Sequence, residues 1–486
     1  DASKLTRAKL VAAIKDLLKT KPKLVGYDVK ASLQVLLDMG IDLPAVGSDV
    51  LIGSFLPELT KNIFKIVVLV PDYKKEFFQK ELSDHKLIIE GVRSGRISRQ
   101  DTIFRFVNSS LVPSQTLLIH KREQLMKRGG LLRFWASFIL ARFIRLIPGV
   151  IGLSRLSDYM TMRKDYYHDL FERYRPVAVF ATDIFNDDDV HLIAEAQRNR
   201  TMAIGMVRSW DNFTTKGVPR INPDFLVVQN EVIQNEAKKF GKIPYSKIFV
   251  SGMPQYDNYV FDKRMSREDF FKKTGLNPKR KIVLFSPFGQ RFSDIDGEIM
   301  DILKNFIQNK DIPDSDVLIR NTPNDAVVLG NFKPDEHFSI DDPGHFFKPG
   351  VYRDRELSKT EIEWLIDCLY HADVVVAAGA SIGIDAAIFG KPTIIIHFDG
   401  YQTKPYPLSM RRCVKYDHIA PVLRSGAMQS AQSIEQLREQ LREYLTSPKK
   451  DEPARQAMLR DYCWKLDGQS GRRIGQFIAE KIDKTV

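Results

Sequence analysis

The sequence predicts an α/β protein with two successive domains, each built on an open parallel sheet covered by helices. The chain has 486 residues, which is too long for one ordinary hydrophobic core. From residue 62 onwards, nearly continuous apolar runs alternate with helical patterns, as expected for doubly wound sheets whose strands are buried on both faces. The same pattern restarts after Pro254, which predicts domains over 62–256 and 257–452.

Apolar runs of strand length define the elements of both domains. The predicted strands of the first domain are 63–71, 86–89, 116–119, 176–180, 202–207, 225–228 and 247–250. Those of the second domain are 281–285, 315–319, 373–376 and 392–396. Helical patterns at 190–198, 232–240, 299–308 and 359–370 separate several of these strands, as in consecutive βαβ units.

Residues 1–61 follow a different pattern, with a basic amphipathic helix, a strand that begins at Lys23 and a second helix. The segment resembles part of the exonuclease-like domain of bacterial family A DNA polymerases, around the helix start at Asp28. The resemblance departs at the acidic positions, because Ser32 stands where that family has a catalytic Asp and only Asp49 matches. Two-metal hydrolysis needs several carboxylates, so the segment is predicted to be catalytically inactive.

The composition limits the partners and the compartment. The formal net charge of +12 indicates acidic partners, such as phosphorylated ligands, an anionic membrane surface or nucleic acid. The three cysteines are widely spaced, which excludes a disulfide scaffold and a cysteine-rich zinc site. The start of the chain does not resemble a signal peptide, and a cytoplasmic location is expected. Because the first residue is Asp1, the chain is also consistent with a fragment or a processed protein.

Residues 373–397 carry the most specific pattern. A buried strand leads into a turn of small residues with Gly379 and Ser381, then into a short helix with Asp385, and then into a second buried strand. Small residues let backbone amides approach a ligand, and a helix N-terminus favours an anion. Asp385 can accept hydrogen bonds from sugar hydroxyls, so the stretch fits a nucleoside diphosphate with its ribose. The alternative is an ordinary βαβ turn.

This stretch resembles the nucleotide-sugar site of GT-B glycosyltransferases and of UDP-sugar 2-epimerases, and the resemblance spans about residues 62–486. It implies a metal-independent GT-B transferase that needs no cofactor and binds a nucleotide-diphosphate sugar in its second domain. Asp385 stands where the family usually has Glu. In that family a C-terminal helix often crosses back to the first domain, and residues 453–486 match that position.

Two further segments are predicted to contact the donor phosphates. Ser286 to Gly289 follow the first strand of the second domain and offer backbone amides, as the matching loop does in GT-B enzymes. Arg320 ends the next strand, in a segment that resembles the R-x-H-P segment of CDP-glycerol glycerophosphotransferases with Thr322 at the His position. A guanidinium there could offset diphosphate charge. The alternative for Arg320 is a surface ion pair.

The acceptor is predicted to bind at the loop after the strand 202–207. This loop contains Trp210, Asp211, Asn212 and Lys216, and similar W-D-N loops occur in transferases related to the glycerophosphotransferases. Asp211 is the first candidate for the general base, and Asp183 at the end of the preceding strand is the second. The alternative is a polar loop with Trp210 packed inward. The acidic run 187–189 is interpreted as a helix start, not as a metal-binding D-x-D motif.

Residues 129–155 are apolar and aromatic but contain Arg133, Arg142 and Arg145, which interrupt any stretch long enough to cross a bilayer. An amphipathic insertion at a membrane surface and a core helix with a lid loop are both compatible with this pattern. The membrane interpretation predicts an enzyme at the inner face of the cell membrane with a lipid-linked acceptor.

Together these patterns predict a glycosyltransferase that moves a sugar from a nucleotide-diphosphate donor to a hydroxyl of a lipid-linked or cell-envelope glycan. The alternatives within the resemblance are a UDP-sugar 2-epimerase and a CDP-glycerol glycerophosphotransferase. An alternative of another class is a nucleic-acid-binding polymerase accessory. It is disfavoured because no basic patch with interleaved aromatic residues is present.

Overall fold

The computed structural model describes residues 22–27, 65–82, 87–93, 98–164, 166–261, 263–348, 350–377, 379 and 381–484. These residues form two compact units. The first unit contains the described residues up to Leu117, then 132–260, and again the residues from Trp464 onwards. The second unit contains 118–131 and 261–463. The chain therefore passes to the second unit's main segment after Val260, and it returns to the first unit at Trp464.

The first unit is built on a parallel sheet of seven strands. The strands are β1 (Pro22–Tyr27), β2 (Lys65–Pro71), β3 (Leu87–Val92), β4 (Ala178–Ala181), β5 (Met202–Met206), β6 (Phe225–Val228) and β7 (Ile248–Val250). Their order in the sheet is β3-β2-β1-β4-β5-β6-β7. The order reverses between β1 and β4, where Tyr27 pairs with Ala181 at the carboxyl ends of both strands. Ligands of open α/β sheets bind at such a switch point.

The position of β1 corrects the predicted organisation of the N-terminal segment. The sequence indicated a strand near Lys23 but assigned residues 1–61 to a separate polymerase-like segment. β1 instead pairs in parallel with β2 and with β4 inside the first sheet. Without it, the two halves of this sheet would not be joined. The helices predicted over the rest of 1–61 lie outside the described residues.

The described residues up to Phe261 contain ten α-helices. They are α1 (Lys75–Glu81), α2 (Arg99–Leu111), α3 (Gln115–Arg128), α4 (Leu131–Arg142), α5 (Val150–Thr161), α6 (His168–Tyr174), α7 (Asp187–Arg198), α8 (Asn212–Thr215), α9 (Glu231–Lys239) and α10 (Asp257–Phe261). Most of α3 belongs to the second unit. The predicted strand 116–119 is wrong, since these residues lie in α3. The Ser114 hydroxyl accepts a hydrogen bond from the Leu117 amide (3.1 Å) and starts this helix, and short apolar runs do not distinguish the two structures.

The last helix of the chain, α18 (Ser470–Asp483), belongs to the first unit. Its buried residues Ile474 and Ile478 join the apolar cluster formed by the side chains of β2, β4 and β5. Phe477 stacks on Phe249 of β7 with ring centroids 4.3 Å apart. The amide of Gly471 donates a hydrogen bond to the Asp257 carboxylate (2.8 Å), which caps the helix from a distant segment.

The second unit is built on a parallel sheet of six strands. They are β8 (Lys281–Ser286), β9 (Ser315–Arg320), β10 (Phe338–Asp341), β11 (Val374–Ala377), β12 (Thr393–Ile396) and β13 (Gln429–Ala431), in the order β10-β9-β8-β11-β12-β13. The order reverses between β8 and β11. The edge strands β10 and β13 were not predicted, because both are short and partly exposed and so lack a continuous apolar run.

The described residues of the second unit from 267 onwards contain seven α-helices. They are α11 (Arg267–Thr274), α12 (Asp296–Gln308), α13 (Lys359–His371), α14 (Ser381–Ile388), α15 (Ile419–Arg424), α16 (Ile434–Thr446) and α17 (Glu452–Cys463). Both sheets are therefore doubly wound parallel sheets, and the predicted fold class is confirmed.

The apolar segment 129–155 forms the helices α4 and α5, joined by a short 3-10 turn at Ile144–Leu146. Its large apolar side chains are largely outside the core: the exposed fraction is 87% for Leu132, 70% for Leu146 and 67% for Leu153. In the part of the chain that the structure describes, no single helix has the length and apolar character of a bilayer span. One pair, Leu131–Leu146 with Val150–Thr161, has them jointly but is bent by 116°.

Candidate active site

The carboxyl ends of β8 and β11 bring two of the predicted donor segments together. Ser286, the last residue of β8, pairs with Ala377, the last residue of β11, at the switch point of the second sheet. The loop that starts at Ser286 and the turn that leads to α14 therefore leave the sheet side by side. This is the edge at which ligands of open α/β sheets bind.

The helix α14 presents its polar residues on one face. Ser381 is its first residue and Asp385 follows four positions later, so both side chains lie on the same face, about 6 Å apart along the axis. Ser381 is exposed and Asp385 is half-buried. Apart from its chain neighbours, no described heavy atom lies within 4 Å of a Cβ built on Gly379, so the space beside Gly379 is open to a ligand.

The opposite face of α14 is fixed against the sheet. A Cβ built on Gly383 would lie 2.5 Å from Cε of Met428 and 3.1 Å from Cγ2 of Thr393, so the glycine lets the helix approach β12 and the residue before β13 closely. This dense packing holds the N-terminus of α14 at the carboxyl edge of the sheet.

The loop Ser286 to Gly289 does not offer the amides that the sequence suggested. The Asp296 carboxylate already accepts hydrogen bonds from the amides of Phe288 (2.7 Å) and Gly289 (3.0 Å). Burial raises the pKa of Asp296 to about 6. A protein carboxylate thus takes the position that we predicted for a donor phosphate. Ser286, at the end of β8, is half-buried, and its contact with a donor stays a prediction.

Arg320 is buried, and it contacts other residues of the second unit. Its guanidinium forms an ion pair with Asp341 at the end of β10 and donates a hydrogen bond to the carbonyl oxygen of Glu361 (3.1 Å). These contacts favour the alternative of an ion pair over a contact with the donor, although the Arg320 side chain is buried and not at the surface as that alternative assumed. The role of Arg320 in donor binding therefore stays a prediction that its surroundings do not support.

Arg412 joins the loops that follow β8 and β12, the two neighbours of β11, and no sequence pattern indicated this role. The side chain is fully buried. It donates hydrogen bonds to the carbonyl oxygens of Leu408 (2.8 Å) and Ser409 (2.7 Å) in the segment after β12, and to that of Phe292 (3.3 Å) in the loop after β8. A guanidinium with several carbonyl partners ties loops that are far apart in sequence.

His397 follows β12 and is fully buried. A ring nitrogen lies 2.6 Å from the Ser430 hydroxyl. Burial lowers the pKa of His397 to about 4, so the ring is neutral at pH 7. His397 therefore acts as a neutral hydrogen-bonding group between β12 and β13.

In the first unit, the structure brings Asp183 and Lys216 together. Asp183 follows β4 beside the switch point, and its Oδ2 lies 2.8 Å from Nζ of Lys216 in the loop after β5. Its Oδ1 accepts a hydrogen bond from the Phe185 amide (3.0 Å). Phe185 and Phe213 pack edge to face at 5.3 Å, which joins the two loops. Both carboxylate oxygens of Asp183 thus have partners, which makes it the weaker candidate for a general base.

Asp211 is the better placed of the two candidate bases. It is half-buried, and its Oδ1 accepts a hydrogen bond from the Ser209 hydroxyl (2.5 Å), which orients the carboxylate. Its neighbours are structural: Trp210 is buried, and the buried Asn212 accepts a hydrogen bond from the Ser209 amide (3.0 Å). Asp211 and Lys216 therefore remain as the side chains of this loop that can meet an acceptor.

The acidic run 187–189 starts α7 as predicted. Asn186 caps the helix by accepting a hydrogen bond from the Asp188 amide (3.0 Å), and Asp189 accepts one from the Asp183 amide (3.0 Å). Among the described residues, no group of three or more His, Cys, Asp or Glu side chains is arranged to hold a metal ion.

Arg220 and three aspartates form a buried ion network in the same unit. The guanidinium makes two hydrogen bonds to Asp158 of α5 (2.7 and 2.8 Å), and Nη1 lies 2.8 Å from both Asp101 of α2 and Asp187 of α7. Burial works against the charged form, but the aspartates raise the pKa of Arg220 overall. The network fixes α2 and α5 to the loop that carries Asp183.

Two doubly wound sheets, with a candidate donor helix at the switch point of the second, define a transferase of the GT-B class. Residues 197–480 match the family model for CDP-glycerol:poly(glycerophosphate) glycerophosphotransferase. This match covers more than half of the chain, and the protein therefore belongs to that family. The matched residues include the loop with Asp211 and Lys216 and the whole of α14.

The chain is also similar to solved structures with low sequence identity. A putative UDP-N-acetylglucosamine 2-epimerase from Listeria monocytogenes has a TM-score of 0.50 and 12% identity, over 94% of this chain and 95% of that one. The UDP-GlcNAc 2-epimerase from Neisseria meningitidis has a TM-score of 0.49 and 11% identity, over 95% and 100%. A glycosyltransferase from Rickettsia africae has a TM-score of 0.46 and 10% identity, over 95% and 99%. No curated protein sequence matches.

Proposed function

We propose that the protein transfers the glycerol phosphate group of CDP-glycerol to a hydroxyl of a poly(glycerol phosphate) acceptor. The observation that carries the proposal is the position of α14, whose open N-terminus lies at the switch point of the second sheet inside the residues that match the family. Ser381 and Asp385 share the face that a diphosphate and its ribose would occupy. The net charge of +12 favours a phosphorylated donor and acceptor.

In this reaction an acceptor hydroxyl oxygen attacks the phosphorus atom that carries glycerol. The bond from this phosphorus to the oxygen of CMP breaks, CMP leaves, and a new phosphodiester forms. Asp211 takes the proton of the attacking hydroxyl, with its orientation held by Ser209. Lys216, exposed and paired with Asp183, supplies positive charge beside the phosphates of the acceptor.

Donor binding is tested by the thermal stabilisation that a panel of nucleotides produces: CDP-glycerol, CDP, CMP, UDP, GDP, TDP and ADP. A cytidine nucleotide at a hundredfold excess over its Kd should add about 2.7 kcal/mol of stability. Asp385→Ala removes a charged acceptor for the ribose hydroxyls, which should weaken binding by about 10- to 100-fold. Glu439→Ala, an exposed carboxylate on α16, is the matched control. Equal binding by Asp385→Ala would contradict the site.

The sequence patterns favour transfer of a sugar from a nucleotide-diphosphate sugar, and the same helix could bind such a donor. The released nucleotide distinguishes the two reactions. Phosphorus attack on CDP-glycerol releases CMP, whereas glycosyl transfer releases a nucleoside diphosphate. If UDP alone stabilised the protein and UDP were released from a UDP-sugar, the result would contradict glycerol phosphate transfer and support glycosyl transfer.

The general base is tested by Asp211→Asn, which keeps the shape of the side chain and removes its basic oxygen. A positioned base contributes about 10²- to 10⁴-fold, so kcat should fall by that factor while nucleotide binding stays unchanged. Glu231→Gln, on the exposed first turn of α9, is the control in the same unit. A decrease in kcat of less than about tenfold would contradict Asp211 as the general base and favour Asp183 instead.

We also propose that α4 and α5 lie on an anionic membrane surface, where a lipid-linked acceptor would be available. Their exposed leucines and Phe143 form an apolar surface, and Arg133 and Arg142 are exposed beside it. Apolar side chains at the acyl boundary with arginines at the phosphates are typical of interfacial helices. Each arginine near an anionic surface contributes about 1 kcal/mol.

Co-sedimentation with vesicles tests this contact. The protein should bind vesicles that contain phosphatidylglycerol and bind pure phosphatidylcholine weakly. The double variant Leu132→Ser with Leu146→Ser should lower the partition coefficient by at least about tenfold, because burial of each leucine is worth about 1.5–3 kcal/mol. Leu329→Ser, which changes a partly exposed leucine of the second unit, is the control. Binding that is unaffected by the double variant would exclude this surface.

A further inference from the structure

A pocket of ≈ 360 Å³ opens in the first unit at the carboxyl end of β3. One wall is formed by residues 90–93, at the end of β3, and the other by residues between 166 and 173, before and along α6. Its volume lies within the range of small-molecule sites. None of the residues that the sequence analysis assigned to the donor or the acceptor lines this pocket.

The aromatic wall of the pocket is held in place by α7. The ring of Tyr166 stacks on His191 with centroids 4.6 Å apart, and its hydroxyl donates a hydrogen bond to Asp188 (2.8 Å). Tyr167 beside it is buried. A wall that is already ordered in this way loses little conformational freedom when a ligand binds.

The rim of the pocket carries charges of both signs. Arg93 and Asp169 are exposed. Arg173 is 59% exposed and lies 3.3 Å from Glu90, which also accepts a hydrogen bond from the Tyr174 hydroxyl. Guanidinium groups bind phosphate, and carboxylates accept hydrogen bonds from hydroxyls. The combination suits a ligand that carries both phosphates and hydroxyls.

The pocket and Asp183 lie along the same carboxyl edge of the first sheet. The strand order β3-β2-β1-β4 separates their strands by three spacings, which is about 14 Å. The helix α7 connects them, because Asp188 holds Tyr166 at the pocket and Asp189 holds the Asp183 backbone. A chain-like ligand in the pocket could therefore extend along this edge to the candidate reaction site.

We infer that this pocket binds a part of the acceptor chain that is distant from the reacting hydroxyl, namely a polyol segment with hydroxyl and phosphate groups. The inference rests on the proposed function, since it assigns a second subsite to the acceptor. Its consequence is that the enzyme prefers long acceptors to short ones. A short acceptor reaches the reaction site without filling the pocket.

The test uses the double variant Arg93→Ala with Asp169→Ala and two probes, glycerol phosphate and poly(glycerol phosphate). For the wild-type protein, kcat/KM should be higher with the long probe. The variant should reduce the ratio of kcat/KM for the long probe to that for the short probe by about tenfold. The control double variant is Glu231→Ala with Lys247→Ala, two exposed charges of the same unit, and should keep the wild-type ratio.

A binding titration without donor gives a second readout. The double variant should bind poly(glycerol phosphate) about tenfold more weakly than the wild-type protein. An unchanged affinity, or an equal loss of activity with both probes, would overturn the inference. If the wild-type protein releases no CMP from CDP-glycerol with either probe, the proposed function fails, and the titration still decides whether the pocket holds the polymer.

Discussion

Replacing Arg220 with methionine should strongly destabilise the first unit. Methionine keeps much of the length of the side chain but removes the charge that four hydrogen-bond or ion-pair contacts share. Asp158 and Asp101 are 0% and 1% exposed, so neither carboxylate can regain water when the guanidinium is removed. Breaking a buried pair by removing one partner costs about 3–5 kcal/mol. That is a large part of the roughly 5–15 kcal/mol that stabilises a domain.

The acidic partners make the network sensitive to low pH as well. Burial alone would raise the pKa of Asp101, but hydrogen bonds with His191 and Ser98 hold it well below the usual range. A lowered native pKa adds stability above the unfolded pKa, near 4, and this stability is lost as the pH falls below that value. Unfolding at pH 7 therefore measures the network at full strength.

The assay is equilibrium unfolding in urea at pH 7, followed by circular dichroism and tryptophan fluorescence. Arg105→Met is the matched control, because Arg105 pairs with the same Asp187 at 3.3 Å but is 44% exposed. An exposed pair contributes at most about 1 kcal/mol, so the control should change little. If Arg220→Met lost less than about 1 kcal/mol, or no more than the control, the network would not hold the fold as we argue.

Two further predictions concern single residues. Burial raises the pKa of Asp257 to about 6, so the native protein binds the extra proton between about pH 4 and 6, and stability should fall by about 3 kcal/mol as the pH rises through this window. Asp257→Asn should remove that part of the pH dependence in unfolding experiments, and an unchanged slope would contradict the assignment. Gly289→Ala should cost about 1–3 kcal/mol, because φ is +80° and a Cβ would lie 2.7 Å from the Asp325 carboxylate. Gly379→Ala, where the space is open, should change the unfolding free energy by less than about 0.5 kcal/mol; equal costs for both variants would refute the steric argument.

The sequence by itself predicted the fold class, most of the strands and the helix α14. Strands buried on both faces of a parallel sheet must be apolar along their whole length, and this leaves a continuous run that is visible without any alignment. Gly379, Ser381 and Asp385 could be proposed for a related reason, because a turn of small residues followed by a carboxylate on a helix is a local pattern. Local patterns did not identify β13, which has only three residues, Gln429–Ala431, and no apolar run.

Only the tertiary structure decided which of the polar candidates remain available to a ligand. Asp296 bonds to the amides of Phe288 and Gly289, Asp341 pairs with Arg320, and α5 supplies a carboxylate to Arg220 from 62 positions away in the sequence. The placement of β1 between β2 and β4 also depends on pairing with segments that are distant in the sequence. A buried polar group must find a partner, but which partner it finds depends on contacts between distant segments, and these exist only once the sheets have formed.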